Sequence, residues 1–183
     1  LQNCTLEQIW SYLGKNGFHN QFENNWIILK PGETMVGRAV TVQFMPTRPD
    51  LDTYIRAQGK TEGRNQRGGI NIWPIDILTK GDIYVADGFG KVKDGTLIGS
   101  SLGNAIYGKT GKGVIYGSIR DMQELRDTNG FNAWIKGNDP SAIKDMTPTA
   151  INAPIRIGLV TVFPGDVVFA NDYGVMFIPA FLV

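Results

Sequence analysis

The chain has 183 residues, which is enough for one domain with a full hydrophobic core and too few for two. Its 18 Lys and Arg residues nearly balance 17 Asp and Glu residues, so the net charge is +1 and no basic stripe of the kind that binds nucleic acid is present. One cysteine and one histidine exclude an intrachain disulfide and a zinc site made from these ligands.

The first predicted element is a helix that begins with a capping box, in which Thr5 caps the first turn and Gln8 reaches back to it. Apolar residues at helical spacing follow the box, and glycines at Gly14 and Gly17 should end the helix. The apolar residues at this spacing are Leu6, Ile9, Trp10 and Leu13.

Strands and a loop are predicted to follow this helix. Short strands are indicated at residues 26–29 and 35–44, the second by alternating apolar and polar residues. Asp50 can cap a short helix after a proline-containing turn. Residues 58–71 contain four glycines and many polar side chains, so we expect a long loop there, followed by a helical turn at Pro74.

A ten-residue pattern occurs twice, at residues 81–90 and 165–174. Both copies begin with Gly-Asp, continue through three apolar residues to Ala and then Asp or Asn, and close with Gly. The pattern predicts a tight turn that leads into a buried strand, which itself ends in a polar turn. The spacing of the copies is too uneven for a solenoid.

Helices and strands alternate between the two copies. Ser100 or Ser101 can cap a helix that ends near Gly108. The chain is therefore predicted to form a mixed α/β domain. The later predicted segments are a strand at 113–116, a helix at 120–127, a strand at 133–135, a loop at 140–154, and strands at 155–163 and 175–178.

Two segments carry groups that suit chemistry. The glycine turn and helix start at residues 99–102 should present free backbone N–H groups, which bind carboxylates. Arg120 and Asp121 follow a buried strand. The planar guanidinium of an arginine can donate two hydrogen bonds to a carboxylate, and aspartate oxygens are suitable ligands for a hard cation such as Mg²⁺. From spacing alone, Arg-Asp after a strand is more often the beginning of a surface helix, and that interpretation stays open here.

The order of motifs between Lys80 and Pro179 resembles the RraA-like family. The first third of the chain is similar more loosely, through residues 37–41. The family's landmarks are a Gly-Asp strand ending in Asp-Gly, a Gly-acid-Leu-Leu helix start, an Asn-Gly-Ala-Val-Arg-Asp segment and a late Pro-Gly-Asp-Val-Val segment. The matching positions in this sequence are 81–88, 99–102, which read Gly-Ser-Ser-Leu, 116–121, which read Tyr-Gly-Ser-Ile-Arg-Asp, and 164–175.

This resemblance implies a fold, an activity and a set of site residues. The fold is the three-layered swivelling β/β/α type, here over one domain of residues 1–183, which assembles as homotrimers or as hexamers made of two trimers. The family's aldolases cleave 4-hydroxy-4-methyl-2-oxoglutarate and similar compounds to pyruvate and a second oxo acid, and they decarboxylate oxaloacetate. They depend on a divalent cation, Mg²⁺ or Mn²⁺.

The resemblance also assigns roles to individual residues of this sequence. The matching arginine and aspartate are catalytic: Arg120 binds the pyruvate unit, and Asp121 holds the metal ion, partly through water. Pyruvate's carboxylate lies on the backbone of the helix-start turn, which is formed here by Gly99, Ser100, Ser101 and Leu102. We therefore expect a metal-dependent carbon–carbon lyase that acts on a small-molecule oxo acid.

Ser100 departs from the family pattern, which has an acidic residue at this position. A serine can hydrogen-bond a water molecule but cannot accept a proton at neutral pH. Loss of a general acid or base typically lowers a rate by ~10²–10⁴-fold. Asp87 could replace the missing carboxylate if it pointed into the same site; otherwise it is a turn aspartate.

Two other functions stay open at this level. The family includes a regulator that inhibits ribonuclease E through protein contact, and Ser100 is compatible with such a protein that has lost turnover. A lyase with a different substrate could use Arg48, Arg64 or Arg67 to bind a second anionic group, although these are more simply solvated loop charges. The methyltransferase label given to some relatives has no support, because the glycine-rich segment 87–90 lacks a third glycine and a following helix.

The sequence has no run of about 18 apolar residues, so we expect no membrane-spanning segment. Together with the single cysteine this favours a cytoplasmic protein. Because the sequence begins at Leu1 rather than Met, a removed secretion signal stays an open alternative.

Overall fold

The computed structural model describes residues 3–183, apart from the side chain of Tyr116. Its helices are α1 (Leu6–Lys15), α2 (Pro49–Thr61), α3 (Trp73–Asp76), α4 (Ser100–Thr110) and α5 (Met122–Asp127), with 3₁₀ turns at Ile70–Ile72 and Ala180–Leu182. Its strands are β1 (Phe22–Glu23), β2 (Ile27–Ile28), β3 (Met35–Pro46), β4 (Asp82–Asp87), β5 (Val114–Ile119), β6 (Ala133–Asn138), β7 (Met146–Ile151), β8 (Ile155–Ile157), β9 (Val160–Val162), β10 (Val167–Asn171) and β11 (Gly174–Ile178). None of the helices in this range is both long and apolar enough to cross a membrane.

Most of the strands form one mixed sheet in the order β1-β11-β10-β3-β4-β5-β6-β2. Strands β3, β4, β5 and β6 run parallel to one another. The remaining pairings in the sheet are antiparallel. The long strand β3 has β4 along one edge, while the other edge pairs first with β10 and then with β7. The parallel strands therefore share one carboxyl edge, where ligand sites of α/β sheets are usually found.

The two faces of this sheet are covered differently, which gives three layers. Helices α3, α4 and α5 pack on one face, around buried side chains such as Ile106 and Leu125. The hairpin of β8 and β9 packs on the other face, through Val160, Val162 and their neighbours. This hairpin, sheet and helix arrangement agrees with the predicted β/β/α layers.

Helix α1 confirms the predicted capping box. The Gln8 amide donates to the Thr5 hydroxyl, and the Thr5 amide donates to the Gln8 side chain. The helix buries Leu6, Ile9 and Leu13 against β10 and β11, and each such side chain contributes about 1.5–3 kcal/mol when fully buried. Trp10 has the same spacing but is 45% exposed.

The repeated ten-residue pattern corresponds to one local structure that is used twice. At the first turn of each copy, an aspartate accepts the amide of the residue three positions earlier: Asp82 from Thr79 at 2.7 Å, and Asp166 from Phe163 at 2.8 Å. The glycine before each aspartate has a positive φ, +87° and +86°, which an L side chain rarely adopts. The Gly-Asp pair is therefore needed to turn the chain into a buried strand.

The two copies also end alike. Asp87 accepts the amide of Phe89 at 2.9 Å, and Asn171 accepts the amide of Tyr173 at 3.0 Å. An asparagine makes the same contact in the second copy. The side-chain oxygen of Asp87 is therefore explained by the turn that follows its strand.

Three predicted segments differ from the structure. Residues 58–61 belong to α2 rather than to a loop, because Gly59 lies against the ring of Trp73. Within the predicted loop at 140–154, residues 146–151 form β7, which is held by pairing with the distant β3. Residues 155–163 form two strands rather than one, since Gly158 turns the chain with φ +59°.

The predicted ends of three helices also need correction. Asp50 lies in the first turn of α2, and the residue at the cap is Arg48, which has no side-chain cap bond. Helix α4 continues past Gly108 to the left-handed Gly111. Helix α5 begins at Met122, so Arg120 and Asp121 precede it.

Candidate active site

The site lies where β4 and β5 separate at the carboxyl edge of the sheet. These strands pair only at two positions, the last of which joins Val85 and Ile115. Beyond that point Leu97 and Ile98 take the place of β4: the Leu97 amide donates to the Ser118 carbonyl at 3.3 Å, and the Arg120 amide to the Ile98 carbonyl at 3.1 Å. This pairing places the beginning of α4 beside the end of β5.

All six residues that the sequence assigned to the site line one cleft of about 210 Å³. This volume is below the usual ~300–1,000 Å³ of pockets for drug-sized ligands, so the cleft suits a small metabolite. The lining residues are Asn71, Thr96, Leu97, Ile98, Gly99, Ser100, Ser101, Leu102, Arg120, Asp121, Ala142 and Ile143.

Asp121, which follows β5, contacts the beginning of α4 on the other side of the cleft. Its Oδ2 accepts the backbone amide of Ser100 at 3.0 Å. The prediction that a serine caps α4 was therefore wrong: Gly99 is the cap residue and makes no side-chain bond, and a carboxylate from another element takes that role. The next two amides, of Ser101 and Leu102, lie in the first turn of the helix, where no intrahelical carbonyl is available. Their N–H groups can therefore donate to a bound anion.

Asp121 reaches this position through an uncommon backbone conformation. Its φ of 56° and ψ of 38° lie in the left-handed region, which Asp and Asn enter more readily than other residues with a side chain. The conformation turns the carboxylate away from its own helix α5, where it makes no cap bond, and toward α4. Outliers of this kind are enriched at functional sites.

The guanidinium of Arg120 lies beside the same carboxylate. Its Nε is 3.5 Å from Asp121 Oδ2, and the Arg120 side chain is 43% exposed. Among the described residues, its terminal nitrogens have no hydrogen-bond partner. An exposed ion pair of this kind contributes little to stability, ~0–1 kcal/mol, so the arginine is free to bind an anion with its outer edge.

Gly99 allows these groups to converge. A Cβ atom at this position would lie 2.5 Å from Asp121 Oδ2 and 2.7 Å from Arg120 Nε. The φ of Gly99 is −119°, so the requirement for glycine comes from this close approach and not from backbone strain.

The residues of the cleft fit a divalent cation only if other ligands complete its coordination. One oxygen of Asp121 accepts the Ser100 amide, and no bond is made by the other within residues 3–183. No group of three His, Cys, Asp or Glu that could hold a metal occurs among the described residues. Mg²⁺ commonly uses one or two carboxylates and takes its remaining ligands from substrate and water. Asp121 fits an ion held in this way.

The sequence interpretation missed the far wall of the cleft. Asn71 comes from the 3₁₀ turn before α3, inside the segment that was predicted to be a loop. Ala142 and Ile143 come from a loop fixed by Asp139, which accepts both the hydroxyl and the amide of Ser141. Both bonds lower the pKa of Asp139, and the bond from the Ser141 hydroxyl has the larger effect. No local pattern marks these residues, because pairing of distant strands brings them here.

Several other candidates lie elsewhere. Asp87 lines a separate cleft of about 330 Å³ together with Lys136 and Arg156, so it does not replace the carboxylate missing at Ser100. Arg48 pairs with Asp50, and Arg64 pairs with Glu62. Neither of these arginines, nor Arg67, is part of the cleft lining, so Arg120 is its one cation among the described residues.

Comparison with known proteins gives one family. A protein-family model described as RraA-like, Aldolase/RraA, matches residues 6–177. The crystal structure of Streptomyces coelicolor RraAS2, described as an unusual member of the RNase ES inhibitor RraA protein family, covers 98% of this chain and 82% of its own, with a TM-score of 0.76 and 24% identity. This likeness confirms the predicted fold.

Two curated relatives are similar in sequence. Protein DlpA of Legionella pneumophila is 28% identical over 188 residues, which cover 98% of this chain and 27% of DlpA. A protein of Hahella chejuensis, provisionally named 4-hydroxy-4-methyl-2-oxoglutarate aldolase, is 33% identical over 106 residues, which cover 57% of this chain and 63% of that protein. The chain thus spans less than two thirds of either relative.

Proposed function

The chain belongs to the RraA-like Aldolase/RraA family, and from this premise we propose that it is a divalent-metal-dependent lyase acting on a pyruvate-containing oxo acid. The observation that supports the proposal is the convergence of Arg120, Asp121 and the amides at the beginning of α4 on one small cleft. The provisional aldolase name of the Hahella relative agrees with it.

The chemistry follows from what each group can bind. The carboxylate of a pyruvate unit would accept the amides of Ser101 and Leu102 at the positive end of the helix dipole. Arg120 would bind the same unit with its free edge and hold it in place. Asp121 would ligate Mg²⁺ or Mn²⁺ with its second oxygen. Such an ion, when bound, stabilises the negative charge that develops on the pyruvate oxygens as the carbon–carbon bond breaks.

The direct test follows pyruvate release from oxaloacetate in the presence of Mn²⁺, with a coupled lactate dehydrogenase assay. We expect release above the rate of Mn²⁺ alone, and a loss of about 10²-fold in Arg120→Lys, because an ammonium group cannot replace the planar fork. Arg56→Lys is the matched control, since Arg56 forms an exposed pair with Asp52 on α2. A rate equal to that of the metal alone contradicts the proposal.

A second candidate function is regulation by protein contact. The description of the Streptomyces structure as part of an RNase inhibitor family, and the serine at position 100, favour it. The test is inhibition of an RNase E-type endonuclease by the purified protein. If inhibition is found and persists in Arg120→Lys while no substrate is cleaved, the regulator is the better assignment. Assembly as a trimer is part of either proposal and is measured by sedimentation.

A further inference from the structure

Asn71 is a polar residue in the far wall of the cleft, and the binding of a pyruvate unit does not use it. Its two neighbours in that wall, Ala142 and Ile143, are apolar. Within the part of the chain that the structure describes, the Asn71 carboxamide forms no hydrogen bond. A carboxamide has two N–H donors and an acceptor oxygen, so this group is available to a ligand of the cleft.

The neighbours of Asn71 along the chain hold it in a fixed position. It lies in the 3₁₀ turn Ile70–Ile72. Ile70 before it and Trp73 after it are buried, and the indole nitrogen of Trp73 donates to the Asn65 carbonyl at 2.6 Å. The carboxamide therefore projects from an anchored turn, and a group that selects a ligand has to be held in this way.

Gly69 leaves space for this carboxamide. A Cβ atom at position 69 would overlap the Oδ1 atom of Asn71. The φ of Gly69 is −80°, which any residue adopts, so the requirement for glycine comes from the close approach. Gly99 leaves space for Asp121 and Arg120 in the same way. Two opposite walls of the cleft thus each contain a glycine that accommodates a polar side chain of the lining.

The proposed function determines which part of a substrate meets the far wall. Under that function, the carboxylate of the pyruvate unit binds the amides of Ser101 and Leu102, and its 2-oxo oxygen faces the cation at Asp121. In a 2-oxo acid chelated through these oxygens, C3 is directed away from the cation. The carbon chain beyond C3 therefore extends toward the wall that contains Asn71.

We propose, on the premise of that function, that Asn71 determines substrate specificity by donating a hydrogen bond from Nδ2 to an oxygen atom on C4. The substrate class that it selects is 2-oxo acids with a hydroxyl group on C4. An analogue with a methyl group at C4 leaves the carboxamide without a partner in the cleft, and the site binds it less tightly for that reason.

The experiment compares two ligands that cannot react. 2,4-Dihydroxybutyrate and 2-hydroxybutyrate differ only in the hydroxyl group on C4, and neither has the C2 carbonyl that takes up the electron pair of the C3–C4 bond. Their affinities are measured with Mn²⁺ by calorimetric displacement of oxalate, which resembles the pyruvate half of a substrate alone. In the wild type we expect the dihydroxy acid to bind about 3- to 10-fold more tightly, the range for one hydrogen bond.

Asn71→Leu removes the hydrogen bond and nearly keeps the size of the side chain. We expect the affinity ratio of the two acids to fall to about 1. The affinity for oxalate should stay unchanged, because oxalate has no carbon chain to reach the far wall. Asn104→Ala, on α4 and outside the cleft lining, is the matched control for loss of an asparagine and should keep the wild-type ratio.

Gly69→Ala tests the position of the carboxamide without changing Asn71 itself. The added methyl group meets the free end of the Asn71 side chain, which can rotate away, so the protein should stay folded and lose the hydrogen bond. We expect the same fall in the affinity ratio, again with unchanged oxalate binding. Gly108→Ala, where a Cβ atom meets nothing within 4 Å, is the control and should keep the ratio.

The outcomes separate this inference from the proposed function. Equal binding of the two acids by the wild type, or a wild-type ratio in Asn71→Leu, overturns the inference, and the proposed function stands if oxalate still binds with Mn²⁺. A wild-type ratio in Gly69→Ala also overturns it, because the assigned position of the carboxamide is then wrong. A wild type that binds no oxalate with Mn²⁺ contradicts the proposed function itself, and the inference with it.

Discussion

The backbone amide of Ser100 donates to the carboxylate of Asp121 over 3.0 Å, although the two residues are 21 positions apart and belong to different elements. The bond stabilises the first turn of α4, whose own cap residue Gly99 has no side chain to do so. It also fixes one oxygen of Asp121, while the other makes no bond within residues 3–183. A single contact thus relates the stability of α4 to the geometry of the site.

The first prediction concerns Gly99→Ala. The added methyl group would meet Asp121 and Arg120 well inside van der Waals contact, so these two side chains must move apart. Oxalate is an analogue of the pyruvate enolate and serves as the probe of the site. We expect its affinity in the presence of Mn²⁺ to fall by at least about 10-fold, since a displacement of binding groups by about 1 Å weakens their contacts with the ligand. Calorimetric titration measures this directly.

Gly108→Ala is the matched control for that change. Gly108 lies in the same helix, and a Cβ there would meet nothing within 4 Å. It should gain about 0.5–1 kcal/mol of stability from helix propensity and leave oxalate binding unchanged. Equal binding by the two alanine variants would contradict the assigned close approach.

The second prediction concerns Asp121→Asn. Asparagine tolerates the left-handed conformation at this position and can still accept the Ser100 amide, so the fold should lose less than about 1 kcal/mol. The carboxylate charge is lost, and we expect Mn²⁺ binding in the presence of oxalate to fall by at least about 10-fold. Electron paramagnetic resonance of free Mn²⁺ measures the binding. Unchanged affinity would remove Asp121 from the metal site.

The third prediction concerns the contact between α2 and Trp73. A Cβ on Gly59 would lie 2.1 Å from the ring of Trp73, which is 5% exposed and cannot move freely. We expect Gly59→Ala to destabilise the protein by about 1–3 kcal/mol, because overpacking outweighs the gain in helix propensity. Urea unfolding measures the difference. A variant as stable as Gly108→Ala would show that α2 does not pack here.

The fourth prediction is a pH dependence that comes from Asp166. Burial raises the pKa of this carboxyl above its ordinary value, and the amide of Phe163 opposes the shift. Between the unfolded and the folded pKa, the folded chain therefore holds more protons than the unfolded chain. Stability must fall as pH rises through this window, and the deficit persists at higher pH.

Asp166→Asn tests this dependence, because it keeps an acceptor for Phe163 and removes the titration. We expect the variant to be more stable than the wild type at neutral pH and to lack this part of the decline when urea unfolding is followed from pH 3.5 upward. Asp76→Asn, at an exposed position on α3, is the control and should follow the wild type. If Asp166→Asn follows the wild type too, the burial argument is wrong.

Local patterns in the sequence predicted those parts of the molecule that depend on neighbouring residues. The capping box at Thr5, the Gly-Asp turns before Asp82 and Asp166, and the buried strands after them all follow from contacts within a few positions. The order of motifs likewise indicated the family and the residues that line the cleft.

Only the tertiary structure decided which carboxylates share the cleft. Asp87 ends a buried strand and Asp121 comes shortly after one, so the two look alike in sequence. Asp121 nevertheless caps α4, whereas Asp87 closes its own turn in a separate cleft. The difference arises because Leu97 and Ile98 replace β4 beside β5, a pairing that depends on strand divergence. Long-range pairing of this kind leaves no periodic pattern along the chain. The sequence therefore identified the candidate side chains, and the tertiary structure determined which of them line the same cleft.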